Sequence, residues 1–224
     1  VLRTLVLVIA AALPLVAAAQ TPPAPAPDLD GRLDRIEKAL EESRHTNDML
    51  LKSIDDALWF DRVGDLAAID KVRLWGPPRW KQESETAIGA GQPLKFWAYV
   101  FIPLDLDRSR KAPLLVFSHG GVHADFTTYY THIVRELVAQ GYVVIAPEYR
   151  GSTGYGRGVY ESIDYGGLEV ADAHSCRAYA LENYGFVDGG RVGAIGWSHG
   201  GLISLLSVFA HPDDESFSCG GTLA

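Results

Sequence analysis

Three short segments of this 224-residue chain combine residue types and spacing that could do chemistry: Ser118-His119-Gly120-Gly121, Pro147 to Gly156, and Gly196-Trp197-Ser198-His199-Gly200. The last is a G-x-S-x-G pentapeptide. A serine held on a sharp strand-to-helix turn projects its hydroxyl above a sheet, and the flanking glycines remove side chains that would collide there. Such a serine attacks an acyl carbonyl when a neighbouring base takes its proton. At Gly120 and Gly121, consecutive glycines let the main chain pass close to a substrate and aim N–H groups at a developing oxyanion. Read alone, that segment is equally a plain glycine turn. Tyr149 to Gly156, where glycine and tyrosine recur, fits turn chemistry too.

The elements around the motifs decide what they mean. Leu114 to Ser118 is an apolar run that ends at the first motif, Tyr142 to Ala146 ends at the second, and Val192 to Ile195 ends at the third. Phe96 to Pro103 reads as a further strand. Thr128 to Gln140, Gly167 to Tyr184 and Leu202 to Ala210 read as helices. Short continuous apolar strands alternating with helices predict an α/β domain, its sheet mostly parallel and covered on both faces. Strand, turn and helix around Ser198 make it the candidate nucleophile.

Ahead of this domain, Arg3, the apolar run Leu5 to Val16 and Ala17-Ala18-Ala19 read as a signal peptide over 1–19. The apolar stretch is shorter than the roughly 20 residues of a bilayer span. The expected location is therefore the periplasm or the cell exterior, with no membrane contact after cleavage. A Pro-rich linker follows over 20–29. Residues 30–92 form an N-terminal segment, helical from Asp30 to Phe60 and irregular over 64–92, where Trp and Pro are frequent. The α/β domain that carries the three motifs occupies 93–224.

In the helix, Leu33, Leu40, Asn47 and Ile54 recur every seven residues, with Ile36, Ser43, Leu50 and Ala57 at the offset positions. Two readings stand. The helix lies amphipathically on its own domain, or it forms a short coiled-coil seam over 33–57 that joins two copies as a homodimer.

A net charge of −8 excludes nucleic acid and anionic lipid as partners, because both require a basic face. Hydrophobic residues make up 47%, enough for a packed core. Cys176 and Cys219 read as small buried hydrophobes, although an exported protein permits their pairing. His119 and His123 have no third ligand beside them, so no metal is expected, and no cofactor either.

The strings SHGG, PEYRGSTGYG, DYGGLEVADA (Asp164 to Ala173), VDGGRVGAIGWSHGG (Val187 to Gly201) and the trailing His211-Pro212-Asp213 resemble the catalytic domain of prolyl-oligopeptidase-like serine peptidases, the dipeptidyl and acylaminoacyl peptidase branch of the α/β-hydrolases. The resemblance runs from about Phe96 onward. It implies Ser198 as nucleophile, with the backbone N–H groups of His199 and Gly121 forming the oxyanion hole and Gly120 keeping the approach open. Tyr149 and Arg150 match a supporting segment beneath the site, and Asp172 a helix position that pairs internally.

This sequence departs from the pattern in three ways. Val122 stands where many members have proline, and His199 where many have tyrosine. Only about 70 residues lie between the signal segment and the first strand, too few for a propeller built from blades of about 40–45 residues.

In this fold the acid and then the histidine follow the serine on later loops. After Ser198 only His211, Asp213, Asp214 and Glu215 are available, in the wrong order and at a helix end, ahead of an expected strand over 216–223. The triad acid and base are thus absent from the given chain, which reads as a fragment of a longer hydrolase. The expected function is an exported serine peptidase that cleaves peptide bonds through an acyl-enzyme on Ser198. A carboxylesterase acting on ester substrates is the alternative, and a non-catalytic helix-mediated interaction module is a third reading.

Overall fold

The computed structural model describes residues 28–78 and 93–208. The signal segment, most of the Pro-rich stretch, His211, Asp213, Asp214, Glu215, the strand expected over 216–223 and Cys219 lie outside the described residues. Helix α1 runs over Leu29–Val63. Asp28 caps it, its carboxylate accepting the Gly31 N–H at 3.0 Å. The chain divides into two compact units, residues 1–37 and 38–224. Of the first unit, the described part is the start of α1, where Leu33 and Ile36 are exposed.

In the second unit five strands, β1 (Ala67–Pro78), β2 (Pro93–Pro103), β3 (Ala112–Ser118), β4 (Val143–Glu148) and β5 (Val187–Gly196), form one sheet in the order β1-β2-β4-β3-β5. β4, β3 and β5 run parallel. β2 is antiparallel to both β1 and β4, so the sheet is mixed. The stretch expected to be irregular contains β1, which corrects that expectation. Val72 and Leu74 point inward while Arg73 and Trp75 are exposed, the alternation of a strand with one buried face.

The sheet separates two apolar layers. On one side Phe96, Ala98, Val100, Ile102, Val143 and Ile145 meet helix α4 (Leu168–Asn183) through Ala173, Cys176 and Ala180, and helix α5 (His199–Val208) through Ile203. On the other, Tyr99, Phe101, Phe117, Val144 and Ala146 meet helix α2 (Thr131–Ala139) and the end of α1. Adjacent residues of β2 and β4 thus face opposite layers, as the period of two requires. The Cys176 thiol is buried, and burial pushes it well above its ordinary pKa.

Helix α1 docks through His45, Lys52, Trp59 and Val63, not through the leucines that the sequence pattern picks out. Leu40, Leu50 and Ile54 remain 66%, 59% and 62% exposed. Trp59 explains the choice of face: its ring stacks on Phe126 at 5.5 Å and meets Phe101 edge-on at 5.0 Å. A buried indole contributes more apolar contact than a leucine.

Parallel β3, β4 and β5 bring their carboxyl ends to one edge of the sheet. Ser118 is level with Gly196 across the β3–β5 ladder, and Val116 with Ile145 across β3–β4. Register alone therefore gathers the loops after Ser118, Glu148 and Gly196.

Candidate active site

Ser198 sits between β5 and α5 at φ 53, one of only two non-glycine residues with positive φ among the described residues. A side chain held there is strained, which is the mark of a nucleophile elbow. Its two glycines are required sterically. A Cβ on Gly196 would collide with the Gly200 carbonyl, and one on Gly200 with the carbonyls of Ser118 and His119. The Gly200 N–H closes the turn on the Trp197 carbonyl at 2.9 Å. Ser198 is exposed.

The loop after β3 runs beside this turn. A Cβ on Gly120 would come within 2.8 Å of the Trp197 carbonyl oxygen, and Gly121 has φ +82. The Gly120 N–H is committed to the Tyr130 hydroxyl at 2.9 Å. Among the described residues neither the Gly121 nor the His199 N–H has a hydrogen-bond partner. These are the two donors that the family resemblance implies for an oxyanion hole. The Tyr149 hydroxyl lies within hydrogen-bond distance of the His119 and Gly121 carbonyls, at 3.0 and 2.9 Å, and its ring stacks on His119 at 4.2 Å. It braces the loop from below.

Arg150 is buried and grips Asp172 with Nε and Nη2, at 2.8 Å each, while also donating to the Pro77 carbonyl. That pair ties α4 and β1 to the loop after β4. The His199 side chain turns inward, with Nε2 3.4 Å from the buried Glu169 carboxylate.

None of the described histidines is bonded to Ser198. His119 lies 2.9 Å from Ser152 Oγ, His123 bonds the Gly151 carbonyl at 2.9 Å, and His174 is exposed on α4. No cluster of metal ligands occurs among the described residues. A cavity of about 300 Å³ lies between α4, α5 and β5, lined by His174, Arg177 and Ser204, and Ser198 is not part of its wall.

Sequence reading missed a buried charge network beside the glycine loop. Lys52 of α1 places Nζ 2.8 Å from Glu148, 3.4 Å from Asp125 and 3.7 Å from Asp56. It also donates to the Phe126 carbonyl at 2.5 Å. Glu148 accepts the Phe126 N–H and the Tyr155 hydroxyl, both at 3.1 Å, and lies 3.6 Å from His119. Burial disfavours charge on Lys52, but Glu148, Asp125 and Asp56 outweigh it and raise its pKa. Burial lifts Glu148 to about 7 against the pull of Lys52, and lowers His119 to about 3. One signal was available in the sequence: His45, Lys52 and Trp59 recur every seven residues on one helix face.

Strand order, elbow and glycine loop together define an α/β-hydrolase. Within that class, residues 128–221 match the model of the prolyl oligopeptidase family. The acylamino-acid-releasing enzyme of Sus scrofa is 30% identical over 147 residues, covering 65% of this chain and 19% of that protein. Dipeptidyl-peptidase 5 of Aspergillus fumigatus is 36% identical over 110 residues, covering 47% and 15%. Among solved structures, a puromycin-hydrolyzing peptidase of Mycobacterium tuberculosis superposes with a TM-score of 0.52 at 28% identity, over 63% of this chain and 21% of that one. The chain thus spans less than a fifth of the length of these curated relatives.

Proposed function

We propose that the chain is part of an exported serine peptidase in which Ser198 attacks the scissile carbonyl and forms an acyl-enzyme. The observation that carries this reading is the elbow itself: Ser198 at φ 53, beside two uncommitted N–H groups on Gly121 and His199. In the tetrahedral intermediate these donors hold the oxyanion, and each such donor contributes about 10²–10³-fold in rate. The acid and base that activate the serine are supplied elsewhere in the complete protein, since no described side chain takes the serine proton. Similarity to acylamino-acid-releasing and dipeptidyl peptidases supports peptide substrates over simple esters.

In the complete protein, Ser198→Ala is expected to abolish labelling by a fluorophosphonate and to lower turnover by at least about 10³-fold. Persistent labelling in that variant would rule out Ser198. Faster turnover of an aminoacyl-nitroanilide than of nitrophenyl acetate separates the peptidase from the esterase reading.

A second reading concerns association. The exposed leucines of α1 repeat at coiled-coil spacing, which supports pairing of two copies along that face. Sedimentation should show concentration-dependent dimers that Leu40→Asp abolishes, and a wild type that stays monomeric at high concentration refutes the idea.

A further inference from the structure

We infer that Lys52, on the helix ahead of the sheet, is a positioning residue for the oxyanion loop: by clamping Phe126 and Glu148 it fixes where the Gly121 N–H points. The inference rests on the proposed role of Gly121 in the preceding reading. Gly120 and Gly121 give the loop no preferred conformation of its own, because glycine populates regions closed to other residues. Its shape must therefore come from what holds its ends. At the near end strand β3 fixes Ser118, and Tyr130 and Tyr149 hold Gly120 and Gly121. In the middle, the Ala124 carbonyl accepts the Thr153 N–H at 3.0 Å, and Asp125 accepts the Thr153 hydroxyl at 2.8 Å.

The far end has no strand to rest on. Phe126 is held through its N–H by Glu148, at 3.1 Å, and through its carbonyl by Lys52, at 2.5 Å. Its ring is clasped between Trp59 and Tyr130, stacked at 5.5 and 5.0 Å. Among the described residues Lys52 is the only lysine or arginine within ion-pair distance of Glu148 or Asp125. Without its ammonium, two carboxylates, one of them fully buried, lose their counter-charge at the point where the loop is tied down. The tie then loosens rather than the whole fold, because Trp59 and the sheet are untouched. A donor displaced by about an ångström is enough to cost on the order of 10²-fold in rate.

The test uses the complete protein with Lys52→Met, which keeps the stem and removes the charge, and Lys52→Arg, which restores it. Val100→Ala, in the layer on the other side of the sheet, supplies a control of lowered stability. Hydrogen exchange over 118–127 is expected to quicken about 10-fold or more in Lys52→Met while the strands keep their protection. Turnover is expected to fall about 10- to 100-fold with KM little changed, and Lys52→Arg to recover much of both. Unaltered exchange over 118–127 overturns the inference, as does a fall in kcat no larger than that of a Val100→Ala control with the same loss of Tm. Failure of Lys52→Met alone, with Ser198→Ala inactive, overturns only this inference. An active Ser198→Ala removes the reading beneath it and with it any catalytic role for Lys52.

Discussion

Arg150→Met is expected to destabilise the fold by about 3–5 kcal/mol, read as a lowered urea midpoint with an unchanged slope. Arg150 and Asp172 are both fully buried, and the guanidinium meets the carboxylate with two nitrogens at 2.8 Å, while the Arg150 main-chain N–H adds a third bond at 3.0 Å. Burial already raises Asp172 above the ordinary carboxylate range, with Arg150 pulling the other way. Removing the guanidinium leaves a carboxylate in an apolar setting with no counter-charge, and it must take up a proton or pay for its isolation. The double variant Arg150→Met/Asp172→Leu is expected to regain most of the loss, because apolar groups of similar volume replace a buried ion pair at little net cost. A single variant within about 1 kcal/mol of the wild type would contradict the burial of this pair.

The second large effect lies in the pH dependence of stability. Burial holds His119 at about 3 against an ordinary 6.5, so only the unfolded chain binds its proton between those values. That contribution removes stability as pH falls from 6.5 toward 3. Glu148 works in the opposite sense: held at about 7 against an ordinary 4.5, it takes its proton in the folded chain first and adds stability as pH falls from 7 to 4.5. Lys52, Asp125, Tyr155 and Ser152 surround the two groups.

Over pH 6.5 to 4.5 the two contributions nearly cancel, and below 4.5 only the loss from His119 remains. Glu148→Gln mimics the protonated acid and removes the compensation. Relative to the wild type, the variant should therefore lose about 3 kcal/mol between pH 7 and 4.5. Urea titrations at four pH values measure this difference directly. Parallel curves for the two proteins would show that Glu148 is not held near neutrality.

Much of the site was legible because its signals are local. Ser198 announces itself through a strand on one side, a helix on the other and two glycines between, all within a few residues. Tyr149 and Arg150 follow a strand that is apolar from Val143 to Ala146, so their burial is written in their neighbours. β1 was harder to read because its inward residues Val72 and Leu74 alternate with Arg73 and Trp75 and run into prolines. The antiparallel course of β1 and β2 has no sequence marker, since pairing direction is a property of two segments rather than one. The spacing of His45, Lys52 and Trp59 marks a helix face, but not what Lys52 does there: it meets Phe126 across 74 residues, and its value depends on Glu148 arriving from a third place. The leucines of α1 misdirected the choice of docking face because hydrophobicity by itself does not say which of two stripes finds an aromatic socket.

The engagement of α1 also bears on how this module can be moved between proteins. A cut at Pro93, where the second strand begins, looks natural from the glycine motifs, all of which lie after it. Such a cut would strip Trp59 from the ring cluster of Phe101, Phe117 and Phe126, and would leave the carboxyl of Glu148 without its cation. A transplanted domain needs its leading helix from at least His45 onward. A graft that omits it would import the Ser198 elbow and leave behind the side chains that hold Phe126 and Glu148 beside it.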